Sequence, residues 1–449
     1  MKYIENIVIG TGLSALGCTS VLIKKKKNFL ILESSKKITF KKEGSKKIYF
    51  DKDGTPKKLN KSNHLDILSA KMFGGNTLIW GANCLRLFKS QFAKWPIKYQ
   101  NLKKYYDKCE KILDIKHYND DISKNFNLKD HKIPQKNFYD SNFSNLANNK
   151  STNFIIGYAR LSLDENAKVK KCSNLFDNIL KKNKNKIKFN SEVEKFETYK
   201  NLTKVYLQNK EIYYCKKLFI CSGVVSSSKL LVNSFDDLVL HAKESSYFIA
   251  PCFFYKRKNN QKLTDLSQLQ IFNKQNKIYS ELKYDPDLLK LVIKKKYGLL
   301  SNFLPNFFLN KIYILTGFLP DHFSSHELVI RKKNINDFVN FFWIEKNNLK
   351  NIKPYNVTNK YINNLSKQLN FIFLPWLTKI YNKGRSYHLA STIPMTKSKK
   401  KISTNIYGEL NLNKNVYICD SSNFTTLPSC SLGLTIMANS MRIADKAIK

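Results

Sequence analysis

Arginine is scarce in this chain: it supplies only six of the 78 basic residues, and lysine supplies the rest. The net charge of +44 would ordinarily indicate a nucleic acid or an anionic membrane as partner, because clustered cations attract phosphate groups. Arginine, however, is the side chain best suited to phosphates and base edges, and the lysines are spread along the whole sequence. The composition therefore indicates a chain-wide bias and no specific nucleic-acid partner, while a peripheral contact with a membrane stays open.

The nine cysteines include no C-x-x-C pair, and no histidine accompanies them at the spacing of a zinc site. Their odd number also argues against a framework of disulfides. We therefore predict reduced thiols, a cytoplasmic location and no bound metal.

No apolar run is long and uninterrupted enough to cross a bilayer, which takes roughly 20 residues. The stretch from Ile7 to Ile23 follows Glu5, an acidic residue where a signal peptide would be basic, and no small-residue cleavage site follows it. The run from Leu304 to Pro320 is interrupted by Asn310 and Lys311. We predict no transmembrane segment and assign the second run to the buried core.

What the sequence does contain is enough apolar material for a large core. Its 449 residues are 42% hydrophobic and 13% aromatic, which is typical of two or three folded domains. No internal repeat is visible. The function therefore has to be inferred from local motifs.

The first 33 residues have the pattern of a βαβ unit. Ile4 to Ile9 is a short β-branched run, Leu13 to Ile23 has apolar residues at helical spacing, and Phe29 to Leu32 is a second buried run. A lysine cluster from Lys24 to Lys27 suits the C-terminus of a helix, whose partial charge is negative. We predict a strand, a helix and a strand in this order.

A glycine-rich turn, Gly10-Thr11-Gly12-Leu13-Ser14-Ala15, joins the first strand to the helix. Gly10 permits a tight turn, Gly12 lets backbone approach a pyrophosphate, and Ala15 keeps helix and strand close. The helix N-terminus offers free N–H groups to phosphates, and a glutamate at the end of the second strand can accept hydrogen bonds from a ribose. The predicted dinucleotide contacts are Gly10, Gly12, Leu13, Ser14 and Glu33.

This turn alone does not distinguish an NAD site from an FAD site. The alternative is a glycine-rich turn that binds no dinucleotide and lies beside an incidental glutamate. The chain has no second motif of this kind. The pattern therefore indicates one tightly held dinucleotide.

The middle of the chain has weaker patterns. Ser35 to Asn63 is lysine-rich and predicted to form surface hairpins or loops, and residues 116–150, rich in Asn, Lys and Asp, are predicted to be an exposed excursion. Leu102 to Leu113 and Leu175 to Leu180 have helical spacing. Four short strand-like runs follow between Ile187 and Tyr214, ahead of another apolar run.

From Tyr247 to about Lys379, aromatic strand-like runs alternate with helical ones such as Leu288 to Lys295. This stretch contains no cofactor motif and is the candidate substrate domain. One more strand, Val416 to Cys419, and a helix from Leu434 to Ile448 follow near the C-terminus.

Two adjacent glycines open the stretch Gly74-Gly75-Asn76-Thr77-Leu78-Ile79-Trp80-Gly81-Ala82-Asn83. Paired glycines let backbone amides reach a phosphate. The stretch resembles the Gly-Gly loop of the glucose–methanol–choline (GMC) oxidoreductase family, including its pyranose oxidase-like and bacterial sugar-associated members, where the loop passes beside the flavin. The resemblance implies cofactor contacts from Gly74, Gly75, Thr77, Gly81 and Asn83. Some members bind FAD covalently through a histidine at the position of Ile79, so non-covalent FAD is implied here.

The run from Leu218 to Cys221 leads into Ser222-Gly223 and a helical stretch. It is similar to the family's strand that ends in Ala-Gly and packs near FAD, which implies cofactor contacts from Ser222 and Gly223. Val193 matches a residue whose backbone commonly pairs with the adenine.

The C-terminal motifs are similar to the family's closing strand, loop and helix. In the family, the corresponding aspartate and the start of the helix hold the ribityl-phosphate and pyrimidine ends of the flavin. The residues implied here are Asp420, Ser421, Leu432 and Thr435.

Upstream, the segment from His388 to Met395 matches the family motif His-x-x-Gly-Thr-x-x-Met, in which the histidine is the active-site base. Ser391 replaces the usual glycine, Pro394 replaces a frequent arginine, and Ser431 stands where the family usually has a second histidine or an asparagine. Serine forms hydrogen bonds but is not a base near neutral pH. The resemblance implies a single catalytic base, His388, with Ser431 as the second polar side chain of the site.

The predicted fold class is α/β: a Rossmann-like, GMC-type FAD-binding domain assembled from discontinuous segments, plus an α+β substrate domain with an antiparallel sheet. The FAD-binding domain is assigned to residues 1–115, 151–240 and 381–449, and the substrate domain to residues 241–380. The last FAD-binding segment contains the catalytic histidine.

The resemblance implies oxidation of a CH–OH group of a sugar, glycoside or nucleotide sugar. His388 would take the hydroxyl proton, a task for which the ordinary histidine pKa near neutrality is suited, and FAD would take the hydride. The alternatives are a desaturase or C=C reductase of the same fold, and a non-catalytic basic protein that associates with membranes or nucleic acid. The electron acceptor stays open.

Overall fold

A computed structural model describes residues 2–36, 49–50, 56–57, 71–134, 138–140, 143–148, 151–180, 186–256, 264–285, 289, 298, 309–334, 337–346, 354–381, 384, 388–398, 400 and 402–448. The helices of these residues are α1 (Leu13–Lys24), α2 (Tyr99–Leu113), α3 (Asp121–Phe126), α4 (Cys172–Leu180), α5 (Val224–Ser234), α6 (Pro354–Leu369) and α7 (Gly433–Ala447).

The first ten strands are β1 (Lys2–Ile9), β2 (Phe29–Leu32), β3 (Tyr49–Phe50), β4 (Pro56–Lys57), β5 (Phe154–Tyr158), β6 (Ile187–Lys188), β7 (Val193–Tyr199), β8 (Leu202–Leu207), β9 (Ile212–Ile220) and β10 (Leu240–Glu244). The others are β11 (Tyr247–Phe253), β12 (Ser267–Asn273), β13 (Tyr279–Lys283), β14 (Ile312–Phe318), β15 (His326–Arg331), β16 (Asn340–Glu345), β17 (Ile372–Phe373), β18 (Lys379–Tyr381), β19 (Leu389–Ala390) and β20 (Val416–Ile418).

The first sheet contains the predicted βαβ unit, with the strand order β6-β2-β1-β9-β8-β7 and β20 also paired with β9. β1 lies parallel to β2 and β9, and β20 lies parallel to β9, whereas β7 and β8 run antiparallel to their neighbours. The last four residues of β1 are buried, as expected for a parallel strand covered on both faces. The predicted N-terminal strand, helix and strand are confirmed. The carboxyl ends of β1, β9 and β20 meet at one edge of this sheet.

Helices α1 and α7, from opposite ends of the chain, pack against each other beside this sheet. Gly17 permits the close approach, because a Cβ there would collide with the carbonyl oxygen of Met437. The Ser440 hydroxyl donates to the carbonyl oxygen of Ser14 at 2.6 Å. The C-terminal helix thereby becomes part of the N-terminal unit.

The second sheet is antiparallel, with the strand order β17-β11-β14-β13-β12-β5 and β18 also paired with β11. β12 is buried throughout and β14 nearly so, which confirms that the described part of the run from Leu304 to Pro320 belongs to the core. Helix α6 packs on this sheet through the buried Tyr361, whose hydroxyl lies 2.5 Å from that of Ser280 on β13. This sheet corresponds to the predicted substrate domain.

A third, four-stranded antiparallel sheet has the order β16-β15-β10-β19. Its strand β19 directly follows His388 and pairs with β10 through Ala390 opposite Lys243. The candidate catalytic histidine is therefore held at the edge of the third sheet, although it lies far along the chain from β10.

The prediction that residues 116–150 form an exposed excursion is wrong for the part that the structure describes. Tyr118, Ile122 and Phe126 are buried, as are Tyr139 and Phe143. They pack into the two main hydrophobic cores because the aromatic and aliphatic residues of this segment are interleaved with its polar ones. The prediction failed because it used the average composition of the segment, which does not show how its apolar residues are distributed.

The predicted domain boundary at residue 151 also needs correction. β5 follows it but pairs with β12 in the antiparallel sheet, so this strand belongs to the substrate region rather than to the FAD-binding segment of residues 151–240. The helical run from Leu288 to Lys295 lies outside the described residues except for Leu289. Of the predicted surface hairpins between Ser35 and Asn63, most residues also lie outside them.

All nine cysteines are buried and unpaired. Among the described residues, no helix has the length and apolar character required to span a membrane.

Candidate active site

The glycine-rich turn after β1 has the backbone geometry that its sequence predicts. Gly10 has a φ of +96°, and a Cβ there would lie 3.0 Å from the carbonyl oxygen of Cys221. A Cβ on Gly12 would have no protein atom within 4 Å. The turn therefore needs glycine at the first position for its own conformation and has open space in front of the second.

Glu33 is buried at the end of β2 and is tied to this turn. Its carboxylate accepts hydrogen bonds from the Thr11 hydroxyl at 2.5 Å and from the Ser35 N–H at 2.8 Å. Thr11 in turn accepts a hydrogen bond from the Gly74 N–H at 2.9 Å. Three separate predicted contacts, the turn, the acid and the Gly-Gly loop, are thus brought together.

The Gly-Gly loop lies directly on the glycine-rich turn. Gly74 and Gly75 have φ values of +100° and +56°, and a Cβ on Gly75 would lie 3.3 Å from Cα of Gly12. The Thr77 hydroxyl donates to the Gly74 carbonyl at 2.6 Å and accepts from the Cys172 N–H at 2.9 Å. Thr77 therefore holds the loop in shape.

The second predicted segment reaches the same edge of the sheet. Gly223, with a φ of +80°, precedes α5 and donates its N–H to Oδ2 of Asp420 at 2.9 Å. The Ser227 hydroxyl donates to the same oxygen and lies 2.9 Å from the hydroxyl of Ser222. Burial raises the pKa of Asp420. These contacts connect the ends of β9 and β20.

The start of α7 completes this region. A Cβ on Gly433 would lie 2.9 Å from Cδ1 of Leu13 and 3.2 Å from the Trp80 ring, so α1 and α7 begin side by side. Leu432 precedes the helix, and the Thr435 hydroxyl lies 2.9 Å from that of Tyr106. Helix N-termini present N–H groups that have no acceptor within the helix and suit phosphate oxygens.

Val193 begins the strand β7, close to Glu33. The Ser191 N–H donates to the carbonyl oxygen of Glu33 at 2.8 Å, which sets Val193, at the start of β7, close to the predicted ribose acid. Its predicted contact with adenine is compatible with this position.

The segment after His388 runs alongside the loop that follows β20. Ser391 and Ile393 donate their N–H groups to the carbonyl oxygens of Ser421 and Ser422, and the Ser421 hydroxyl donates to Leu389 at 3.0 Å. Ser391 has a φ of +69°, a conformation that favours glycine. Glycine, which stands at this position in the motif that the segment resembles, adopts this conformation without strain.

His388 itself is half-buried and stacks on Phe318, with ring centroids 4.2 Å apart and planes at 24°. Desolvation lowers the pKa of His388 to about 4, and the negative charge of Glu281 opposes this shift without cancelling it. The imidazole is therefore neutral at pH 7, which leaves a nitrogen lone pair able to accept a proton.

Phe318 also stacks on Tyr279, whose hydroxyl lies 3.1 Å from Oγ of Ser431. Both hydroxyls are hydrogen-bonded to Oε1 of Glu281, at 2.8 Å from Tyr279 and 3.1 Å from Ser431. The two predicted catalytic residues, His388 and Ser431, are thus connected through the partly buried Phe318 and the buried Tyr279.

The Asn83 side chain is bonded to residues of the antiparallel sheet, and its implied contact with the cofactor stays a prediction. Its side-chain amide donates to Oε2 of Glu281 at 2.8 Å and to Ser267 at 3.0 Å, and its oxygen accepts from Gln270 at 3.0 Å. The Asn83 amide is therefore hydrogen-bonded to residues of β12 and β13. A Cβ on Gly81 would lie 3.4 Å from this amide nitrogen, so Gly81 and Asn83 belong to one turn that contacts Glu281.

Sequence reasoning did not find Glu281. It lies on β13 in a stretch without a motif, and an isolated glutamate in a strand gives no signal of function. The pairing of β12 with β13 places Ser267 beside it, and Asn83 and Ser431 reach it from two other segments.

The arrangement fits a dinucleotide. Glycines face open space at Gly12 and Gly223, the N-termini of α1, α5 and α7 converge, and a buried carboxylate ends β2. Among the described residues, no group of three or more His, Cys, Asp and Glu side chains could hold a metal ion.

Neither a protein-family model nor a curated protein matches this sequence. The fold does match solved structures, among them pyridoxine 4-oxidase from Mesorbium loti, with a TM-score of 0.67 and 11% sequence identity. The match covers 98% of each chain. At this identity the likeness concerns the fold alone. The chain therefore has the fold of pyridoxine 4-oxidase over nearly its whole length.

Proposed function

We propose that this protein is a GMC-type, FAD-dependent oxidoreductase that oxidises a CH–OH group. The observation that carries the proposal is the convergence of the glycine-rich turn, the Gly-Gly loop and the Asp420 loop at one edge of the sheet, with the His388 segment hydrogen-bonded alongside. The fold of a named oxidase supports it. These segments lie far apart in the sequence, and the packing of the fold alone does not require them to meet around the open space in front of Gly12.

FAD would be held without a covalent bond. The open space before Gly12 and the start of α1 suit the pyrophosphate, and Glu33 can accept further hydrogen bonds from a ribose. Ile79 offers no nucleophile to the flavin. When bound, FAD supplies the acceptor of a hydride.

The protein's own part in the reaction is the proton. A neutral His388 takes the hydroxyl proton of the alcohol, and Phe318 holds its ring by stacking. Partial desolvation keeps the imidazole unprotonated near neutral pH, so that it can take a proton when an alcohol binds.

For the substrate, the resemblance favours a sugar, glycoside or nucleotide sugar, and the name of the structural neighbour adds the alcohol pyridoxine. All of these compounds contain a CH–OH group. We place the protein among enzymes acting on small polar alcohols.

The test is His388→Ala. We expect the variant to retain FAD and to lose flavin reduction by an alcohol substrate by about a hundredfold or more, because a positioned general base is removed. Stopped-flow absorbance of the flavin measures the reduction rate. His131→Ala is the matched control, because His131 is exposed and bonds only a nearby backbone carbonyl, that of Leu128, among its described hydrogen bonds.

Equal reduction rates in His388→Ala and wild type would overturn the proposed role of His388. If a saturated C–C substrate or an activated alkene then exchanged electrons with the flavin in place of an alcohol, the desaturase or reductase alternative would take over.

A further inference from the structure

Two hydroxyl groups at the candidate site form hydrogen bonds with the same oxygen of Glu281. The Tyr279 hydroxyl lies 2.8 Å and the Ser431 hydroxyl 3.1 Å from Oε1, and the two hydroxyl oxygens lie 3.1 Å from each other. Tyr279 is completely buried, whereas Ser431 keeps 7% of its surface exposed. Ser431 is therefore the member of this group that can meet a ligand.

The carboxylate determines where the two hydroxyl hydrogens point. Burial alone would raise the pKa of Glu281, but the nearby Lys283 ammonium and the hydrogen bonds from Tyr279 and Ser267 lower it below its ordinary value. An ionised carboxylate has no hydrogen to give and only accepts. Both hydroxyls must therefore donate to Oε1, and Oγ of Ser431 has only lone pairs to offer elsewhere.

The other oxygen prevents the carboxylate from turning. Oε2 accepts from the Asn83 amide at 2.8 Å, the Ser267 hydroxyl at 2.9 Å and the Lys283 ammonium at 3.2 Å. Three donors from two strands and a loop thus fix the plane of the group. The direction of the Ser431 hydroxyl is locked by groups outside the reacting pair.

A substrate hydroxyl has one hydrogen, and the proposed reaction requires that His388 receives it. An acceptor at Ser431 therefore needs a second hydrogen, which the reacting hydroxyl does not have. A neighbouring hydroxyl on the same substrate is the group that would supply it.

We propose that Glu281 is a positioning residue that fixes Ser431 as a hydrogen-bond acceptor, and that the site thereby selects alcohols carrying a second hydroxyl next to the one that is oxidised. The substrate class is a vicinal diol or polyol. This inference rests on the proposed function for the role of His388, but the acceptor state of Ser431 follows from the Glu281 contacts alone.

Glu281→Gln reverses the polarity of Ser431. The amide oxygen of glutamine suits the three donors at the Oε2 position, which turns its NH₂ group toward Ser431 and Tyr279. Ser431 then accepts from that amide and donates its own hydrogen to the ligand. A methyl ether beside the reacting hydroxyl, which only accepts, should then be tolerated as well as a hydroxyl.

The experiment compares 1,2-propanediol with 1-methoxy-2-propanol as reductants of the flavin. The wild-type preference for the diol should fall by roughly two- to tenfold in Glu281→Gln, the range of one hydrogen bond. Ser431→Ala, which leaves the other four donors of Glu281 in place, should abolish the same preference and covers the case in which Glu281→Gln does not fold. A purely structural role would lower both rates equally and leave their ratio unchanged.

A second measurement needs no turnover. Pinacol and its monomethyl ether have no hydrogen on a carbinol carbon, so neither can be oxidised, and their binding is followed by the shift of the flavin absorption. The ratio of their Kd values should change in both variants as the rates do.

Identical ratios in wild type and both variants would overturn the inference. If the binding ratio responds to Glu281 while no alcohol reduces the flavin, the proposed function falls and the acceptor role stands. If alcohols reduce the flavin with an unchanged ratio, the function stands and the diol selection falls.

Discussion

Gly12 and Gly17 belong to the same turn and helix but have different tasks. Gly12 has an extended backbone, with φ −78° and ψ −171°, that any residue adopts, and its Cβ direction faces open space. Gly17 lies against the carbonyl oxygen of Met437. The second glycine is needed for helix packing, and we propose that the first is needed for a ligand.

We therefore expect Gly12→Val to fold normally and to lose FAD, because its side chain fills the place of the pyrophosphate. Gly17→Ala should instead lower the free energy of unfolding by about 1–3 kcal/mol, the usual cost of overpacking. Denaturant unfolding and the flavin content of the purified proteins measure both effects. Wild-type flavin content in Gly12→Val would mean that the cofactor lies elsewhere.

The pKa of His388 predicts an unusual pH profile. Protonation removes the lone pair that takes the hydroxyl proton, so kcat/KM should fall as the pH drops through about 4, the lowered pKa. Between pH 5 and 8 the histidine contributes no decline. The check is kcat/KM against pH for an alcohol, and a loss of activity centred near the ordinary value of 6.5 would show that the ring is solvated during turnover.

At the residue scale, the sequence offered the motif residues as candidates but did not offer their neighbours. His388 and Ser431 were identified by resemblance, and the structure connects them through Phe318 and Tyr279. Glu281 escaped notice because its role depends on strand pairing rather than on spacing along the chain. The hydrogen bond from Asn83 to Glu281 was likewise not predictable from the loop motif.

At the element scale, a buried ion pair explains how the segment after α2 is anchored. Arg160 and Asp120 are both fully buried and form two hydrogen bonds, at 2.5 and 2.7 Å, and Asp120 also accepts from the Ser123 and Tyr158 N–H groups. This contact fixes α3 against β5. A segment that is polar on average is thereby part of the core.

Arg160→Met should lower the free energy of unfolding by about 3–5 kcal/mol, because Asp120 would be left as a buried charge without its partner. Lys116→Met is the control: it breaks an exposed pair with Asp114 and should change the free energy by less than about 1 kcal/mol. Urea titration of both variants measures the difference. Similar midpoints for the two would show that the segment is anchored by apolar contacts alone.

Long periodic elements were the most predictable. The predicted α1 and α7 and the parallel pair β1 and β2 agree with the structure to within a residue or two. The assignment of β5 to the wrong domain has a physical cause, because strand order in an antiparallel sheet depends on contacts between residues more than 100 positions apart.

At the scale of the whole molecule, the positions of the arginines agree with what the composition indicates: the high positive charge is not tied to a specific partner. Arg86, Arg160 and Arg442 are buried and engaged in internal hydrogen bonds, so half of the six are committed to the interior. We propose accordingly that the lysine-rich surface serves no specific nucleic acid. Charge bears on solubility and association rather than on this fold.

We infer that the convergent loops hold FAD beside a base that acts on alcohols. The most direct test is anaerobic absorbance of the purified, FAD-loaded protein during addition of a panel of alcohols that includes sugars, pyridoxine and vicinal diols. We predict that at least one alcohol bleaches the flavin band and is converted to its carbonyl compound in an amount equal to the flavin. A flavin that dithionite bleaches but none of the alcohols does, or a protein that binds no flavin, would contradict the account.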